Sequence, residues 1–196
     1  MNVRPDHLPT QIAHPSLNTR LFAAGRGSSR PVRPPSLLER MISFDLGSHK
    51  FQVRAAAIFI WEESVLLHRL EEDSYWALPG GRVEPGEAAT KTVVRELREE
   101  LAEDVACGPL TYVVENFFED RGKHNHEIGF YFQASFPTGS KLLDSSQSHI
   151  GIEGNRRLEF RWFPLASLGE VDLRPSFLRQ SLSEPTLHFQ HIVQQG

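Results

Sequence analysis

The sequence predicts an α/β fold built on a mixed β-sheet, and three observations carry that prediction. Apolar runs of strand length, rich in aromatic and β-branched residues, recur from Phe51 onward. The stretch Ala88–Leu101 carries the clearest helical period in the chain. Between the first strands and that helix stands Pro79-Gly80-Gly81, a breaker that neither element can absorb.

Taken in order, residues 1 to about 40 differ from the rest. Pro5, Pro9, Pro15, Pro31, Pro34 and Pro35 recur among Arg and Ser with little apolar periodicity. Such a segment buries too little surface to offset chain entropy, so a disordered or loosely packed extension is expected there. A transit peptide, or a natural start at Met41, fits the same composition. Residues 41–196 form the expected domain. Phe51–Glu62 reads as a strand buried around Ala55–Ile60, with Val65–His68 as its hairpin partner. Thr111–Phe118 and Ile128–Phe136 read as paired strands joined by the polar stretch Glu119–His126. Leu158, Phe160 and Trp162 alternate with Glu159 and Arg161, the pattern of a half-buried strand. Phe177–Leu182 suggests a short helix followed by a tail, and no internal repeat is apparent.

Composition removes several classes of function. Hydrophobic residues make up 39% of the 196, normal for a soluble globular protein. The longest apolar run, Ala55–Trp61, is far too short to span a bilayer, and no secretory signal is expected. Cys107 is the sole cysteine, so no internal disulfide or cysteine-based zinc cluster forms, and a reducing, cytoplasmic setting is expected. The net charge of −4 is uneven: residues 1–40 hold six Arg against Asp6 and Glu39, which leaves −8 on the remainder. A domain that acidic is a poor polyanion binder unless something cationic screens it, so a nucleic-acid partner is not expected.

The chemistry concentrates between Gly80 and Glu103. On a helix, residues three and four apart share a face, so Glu96, Glu99 and Glu100 converge on one side and Glu103 continues the stripe. Val93, Leu97 and Leu101 line the other side and pin it to a sheet. Like charges four apart cost a helix roughly 0.2–0.5 kcal/mol per pair, and these sit toward its negative end. A hard divalent cation with oxygen ligands relieves that repulsion, and magnesium accepts one or two carboxylates together with substrate phosphates. Gly80 and Gly81, lacking Cβ, allow backbone to approach a metal or ligand closely.

This stretch resembles the Nudix box of the MutT-like Nudix hydrolase family: Gly, five residues, Glu, seven residues, then Arg-Glu-aliphatic-any-Glu-Glu-any-Gly-aliphatic. Gly81, Glu87, Arg95, Glu96, Leu97, Glu99 and Glu100 fall at the required positions. Ala102 stands for the Gly and Glu103 for the last aliphatic residue, so altered helix termination is expected rather than lost metal binding. Trp162-Phe163-Pro164-Leu165 looks like the family's late strand.

The resemblance implies a mixed sheet sandwiched between helices and an Mg²⁺-dependent pyrophosphatase (Mn²⁺ also fitting) that cleaves a phosphoanhydride bond. The implied substrate is a nucleoside diphosphate linked to another moiety: an NDP-sugar, ADP-ribose, a dinucleotide or a (d)NTP. It implies Glu96, Glu99 and Glu100 as metal ligands, with the Gly81 carbonyl, and a Glu87–Arg95 salt bridge holding loop to helix. The general base stays open between Glu99 and Glu96, or a carboxylate outside the box. Glu153, in the flexible-looking segment Ser145–Asn155, is the candidate for that second carboxylate, with Glu119 and Glu127 as competitors. A non-catalytic nucleotide-binding module of the same fold is the alternative; it tends to lose box carboxylates, which this chain keeps. His124 and His126 read as surface, Trp76 and Phe118 as either stacking platforms or core, and a homodimer stays open.

Overall fold

In the computed structural model, residues 41–184 and 187–196 are described, so the expectation for residues 1–40 lies outside them. The strands are β1 (Ser43–Leu46), β2 (His49–Trp61), β3 (Ser64–Leu70), β4 (Gly80–Arg82), β5 (Ala106–Asp120), β6 (Lys123–Ser135), β7 (His149–Glu153), β8 (Arg156–Pro164) and β9 (Gln190–Gln195). Two α-helices join them, α1 (Ala89–Leu101) and the single turn α2 (Leu178–Ser181). The sheet order is β7-β8-β3-β2-β6-β5-β9, with β1 and β4 also paired to β2. β2–β6 and β5–β9 run parallel and the other pairs antiparallel, so the sheet is mixed. Among the described residues no helix is long and apolar enough to cross a membrane.

Alternation along β2 divides the core in two. Ala55, Ala57 and Phe59 belong to one buried cluster with Val93 and Leu97 of α1. Ala56 and Ile58 belong to the other, with Tyr112, Tyr131, Leu168 and, from α2 and its C-cap, Leu178 and Leu182. Because successive strand residues face opposite sides, the helices lie on opposite faces of the sheet. The α/β sandwich predicted from sequence is the fold. Three consecutive alanines at Ala55–Ala57 keep both faces of β2 shallow where helix and loop must approach.

Three local expectations are corrected. The polar stretch Glu119–His126 is mostly strand: only Arg121-Gly122 turns, both at positive φ (49° and 75°), the geometry of a two-residue hairpin loop. Its polar residues sit at the sheet's end, and β6 there pairs on both sides, to β2 and β5. The segment Ser145–Asn155 contains β7, hydrogen-bonded to β8, and the tail contains β9 beside β5. Both are short edge strands whose signal is too brief to separate from a loop.

The helix ends at Leu101, so Glu103 does not extend its acidic face. Instead Ala102 adopts the left-handed conformation (φ 56°, ψ 31°) and its N–H donates to the Arg98 carbonyl. The box's usual glycine is thus replaced by an alanine in the conformation glycine favours. Glu103, past the turn, accepts a hydrogen bond from Ser140 Oγ at 2.9 Å. Termination is therefore retained, at the cost of a residue that resists the left-handed region by roughly 1–2 kcal/mol. Ala102→Gly, which also loosens the unfolded chain, is expected to raise stability by about 0.5–1 kcal/mol in urea unfolding. An unchanged or lower midpoint would contradict the strain.

Candidate active site

The loop and α1 are joined by close fits. Gly80 has φ 144°, and a Cβ there would stand 2.2 Å from the Ala55 carbonyl oxygen. A Cβ on Gly81 would stand 2.1 Å from the Glu96 carboxyl carbon, so the glycine leaves the room that the Glu96 side chain fills. Arg95 ties the two pieces together. Its Nε and one terminal nitrogen donate to both Glu87 oxygens at 2.9 and 3.0 Å, and the latter nitrogen also donates to the Arg82 carbonyl at 3.1 Å. Its other terminal nitrogen reaches Glu96 at 2.8 Å and Glu99 at 3.3 Å. Thr92 Oγ1 and the Glu84 N–H add two further bonds to Glu87. Burial alone would raise the Glu87 carboxyl, but these hydrogen bonds from Arg95, Thr92 and Glu84 outweigh it and hold the carboxyl below its ordinary value.

The three helix carboxylates have different surroundings. Glu96 and Glu100 are buried, at 8% and 6% exposure, whereas the Glu99 side chain is 59% exposed. Burial raises the Glu96 carboxyl despite Arg95, and raises the Glu100 carboxyl well above its ordinary value, with Glu96 adding repulsion. Glu100 Oε2 is buried without a hydrogen-bond partner. It lies 3.8 Å from His68 Nδ1, which is also unpartnered. That contact is not an ion pair at neutral pH, because burial, helped by the nearby Arg54 charge, pushes the imidazole down to about 3. Arg54 sits 3.5 Å from the other ring nitrogen and donates to the Leu78 carbonyl at 3.2 Å.

Glu96 and Glu100 are thus brought together beside Gly81, while Glu99 turns outward to Arg95. Among the described residues, no three His, Cys, Asp or Glu side chains are gathered closely enough to hold a metal ion. One Arg95 nitrogen bridges Glu96 and Glu99, while Glu100 stands apart beside His68. Glu153 ends β7 at the turn into β8, where it pairs with Arg156, and its charge still bears on Glu100 and Arg82. β7 meets α1 through Gly151, where a Cβ would stand 2.7 Å from the Glu100 carbonyl oxygen. Glu119 is exposed near the β5–β6 turn. Glu127 is buried on β6 and accepts from Gln52 Nε2 at 2.6 Å.

His124 and His126 lie on β6, where His126 stacks on Phe117 at 4.4 Å between ring centres. Trp76 is buried, with the Arg69 guanidinium 4.6 Å above its ring. Sequence reasoning missed Arg54, His68 and Gln52. Arg54 carried a usable signal: it is a cation next to the apolar run of the strand that faces the glycine loop.

Known proteins share this chain's family and fold. The NUDIX domain model matches residues 50–183, and the chain belongs to that family. The chain is 32% identical over 127 residues to YjhB of Bacillus subtilis, a protein with a provisional ADP-ribose pyrophosphatase name, covering 63% of this chain and 58% of YjhB. It is 33% identical over 116 residues to the mouse (Mus musculus) 8-oxo-dGDP phosphatase NUDT18, covering 57% of this chain and 32% of that protein. The chain therefore spans less than two thirds of the length of either relative. In fold it resembles the MutT protein of Bacillus halodurans, at TM-score 0.54 and 18% identity over 74% of this chain and 89% of that one. The MutT protein of Methanosarcina mazei gives TM-score 0.50 and 23% identity over 66% of this chain and 88% of that one.

Two raised carboxyls make the metal-free protein pH-sensitive. Folded, they hold protons that the unfolded chain releases near the ordinary value of 4.5. Stability conferred by proton uptake is complete below that value and is lost as pH rises through the folded-state values. His68, pushed down to about 3, contributes the opposite slope up to about pH 6.5, so the carboxyl effect is read as a difference between proteins. Relative to wild type, Glu100→Gln is expected to gain melting temperature as pH rises from 5 to 8 in chelator, and a difference that stays constant over this range would refute the assignment.

Proposed function

We propose that the protein hydrolyses a phosphoanhydride bond in a nucleoside diphosphate derivative, using a divalent cation held by Glu96, Glu99 and Glu100 with the Gly81 carbonyl. The reading rests on one observation above the others. A carboxylate, Glu100, is buried with an unpartnered oxygen beside a second buried carboxylate, at a point where the backbone has no Cβ. Removing charge from water without a partner costs several kcal/mol, so such a pair is costly unless a cation joins it. The donor set is all oxygen, which suits Mg²⁺, with Mn²⁺ as a substitute. A magnesium ion bound here would neutralise the diphosphate and acidify a water for attack on phosphorus.

The chain's own residues have distinct parts in this reading. Arg95, fixed by Glu87, holds loop and helix in register and keeps the Glu96 and Glu99 carboxylates close to one another. Glu99, exposed and held by a single 3.3 Å contact, is the carboxylate best able to leave Arg95 and take a proton from water. Glu96 is the second candidate for that role. Glu153 serves as a further ligand or base, supported by its electrostatic reach to Glu100. Arg54 and Arg82, paired across β2 and β4, supply positive charge for the phosphates. The relatives' names favour ADP-ribose or an oxidised guanine nucleotide among substrates.

Release of phosphate or nucleoside monophosphate from a panel of such compounds, with magnesium and with chelator, tests the reading. Metal-dependent release is expected from at least one. Glu99→Gln is expected to lower kcat by roughly 10²–10⁴-fold while leaving the melting temperature within a degree or two. No turnover by a folded, magnesium-binding protein would favour the non-catalytic nucleotide-binding module. We further propose that residues 41–196 carry the whole activity. Deleting residues 1–40 is expected to leave kcat and melting temperature nearly unchanged, and a large drop in either would contradict it.

A further inference from the structure

Gln52 and Glu127 form a buried polar pair that the hydrolytic chemistry does not use. They are partners in the parallel register of β2 and β6, at 8% and 5% exposure. Gln52 Nε2 donates to Glu127 Oε2 at 2.6 Å, which fixes the amide's orientation, since an ionised carboxylate only accepts. Gln52 Oε1 is then left buried without a partner among the described residues. A buried acceptor left unpaired is costly, and an apolar pair of the same size would avoid that cost.

The position of the pair points to a ligand. Residues two apart on a strand share a face, so Gln52 lies on the same side of β2 as Arg54 and Ala56, and Glu127 on the same side of β6 as Gly129 and Tyr131. Arg54 pairs across to Gly129 and to Arg82, so the two arginines stand one step along the strip from Gln52 and Glu127. That step is about 7 Å, two residues of strand rise. The charge of Glu127 is felt at Arg82, and that of Arg54 at Glu96 and Glu100. His68 lies 3.8 Å from Glu100 and 3.5 Å from Arg54, so a chain of polar groups links the acidic cluster to Arg54 and, one step along β2, to the acceptor pair. A nucleotide has the matching order: phosphates, then sugar and base.

The geometry points to Gln52 and Glu127 as the specificity-determining pair for the nucleoside end of the substrate, recognising two adjacent hydrogen-bond donors. The inference rests on the hydrolase reading of the neighbouring carboxylates and extends it to substrate choice. Both free positions, Gln52 Oε1 and the Glu127 oxygen outside the 2.6 Å bond, are acceptors. They would favour an edge that donates twice and reject one that offers an acceptor there. Two parts of a nucleotide donate twice: the amide N–H and amino group of a guanine-type base, and the cis-diol of ribose.

Equilibrium binding of GMP, IMP and dGMP to the full chain in chelator tests this without metal or turnover. IMP lacks the amino group and dGMP lacks one hydroxyl. GMP is expected to bind at least tenfold more tightly than IMP if the base edge is read, or than dGMP if the diol is read. E127Q keeps a side-chain carbonyl to accept from Gln52 Nε2 and turns the second position from acceptor to donor, so the folded variant is expected to lose the tenfold preference. Equal affinity for all three ligands, no binding of any to the wild type, or a preference that survives in folded E127Q would each overturn the inference. Metal-dependent turnover of the substrate panel without discrimination would leave the hydrolase reading standing and this one refuted.

Discussion

The arrangement depends on one guanidinium. Arg95 makes contacts with two carboxylates of its own helix, one carboxylate of the preceding loop and one strand carbonyl. No lysine could do the same, because a point charge lacks the fixed fork that meets Glu87 with two parallel bonds. Through that fork the β4 strand, the Pro85-Gly86 turn and α1 become one rigid piece. α1 has no side-chain cap at its N-terminus, and Glu87, which precedes it, is held instead by the Glu84 N–H and the Thr92 hydroxyl.

Around this piece, burial and charge are set against each other. Glu96 and Glu100 are kept from water by the same packing that buries Val93 and Leu97 one turn away. His68 is neutral beside them, Arg95 bonds Glu96 but not Glu100, and Arg54 acts on both, so Glu100 has the poorer charge compensation. Such an environment stores unfavourable energy in the folded state, and the apolar face of the helix offsets it. The oxygen atoms are consequently poorly solvated and strongly basic, which is the condition under which a carboxylate holds a cation or a proton well.

The sequence made the centre of this site legible and left its edges obscure, for physical reasons. Glu96, Glu99 and Glu100 are local: helical period places them, and the predicted helix differs from the observed one only at its cap, Ala88. The close approach at Gly80-Gly81 was legible because two residues without Cβ, set directly before an acidic helix, admit backbone where a side chain would collide. Arg54, His68 and Gln52 were not, and Glu127 was legible as a candidate carboxylate but not as Gln52's partner, since parallel pairing brings residues 52 and 127 together across a separation that periodicity does not record. Glu99 reads the same as its neighbours in sequence, yet solvent and Arg95 give it a different environment. β7 and β9 escaped because an edge strand of five or six residues gains its identity from a partner, not from its own pattern.

Parallel pairing also sets a clock. β9 runs alongside β5 from Tyr112–Gln190 to Phe117–Gln195, so one edge of the sheet is closed by residues far along the chain. β5 is a fifteen-residue strand carrying Tyr112, Val113, Val114, Phe117 and Phe118. Until β9 arrives its outer row of amides and carbonyls is open, a template for any other extended segment. Loop-closure entropy makes such distant pairings slow to form. Any state in which β9 has not yet docked would leave the longest strand of the sheet adhesive, and crowding by like chains would then favour aggregation.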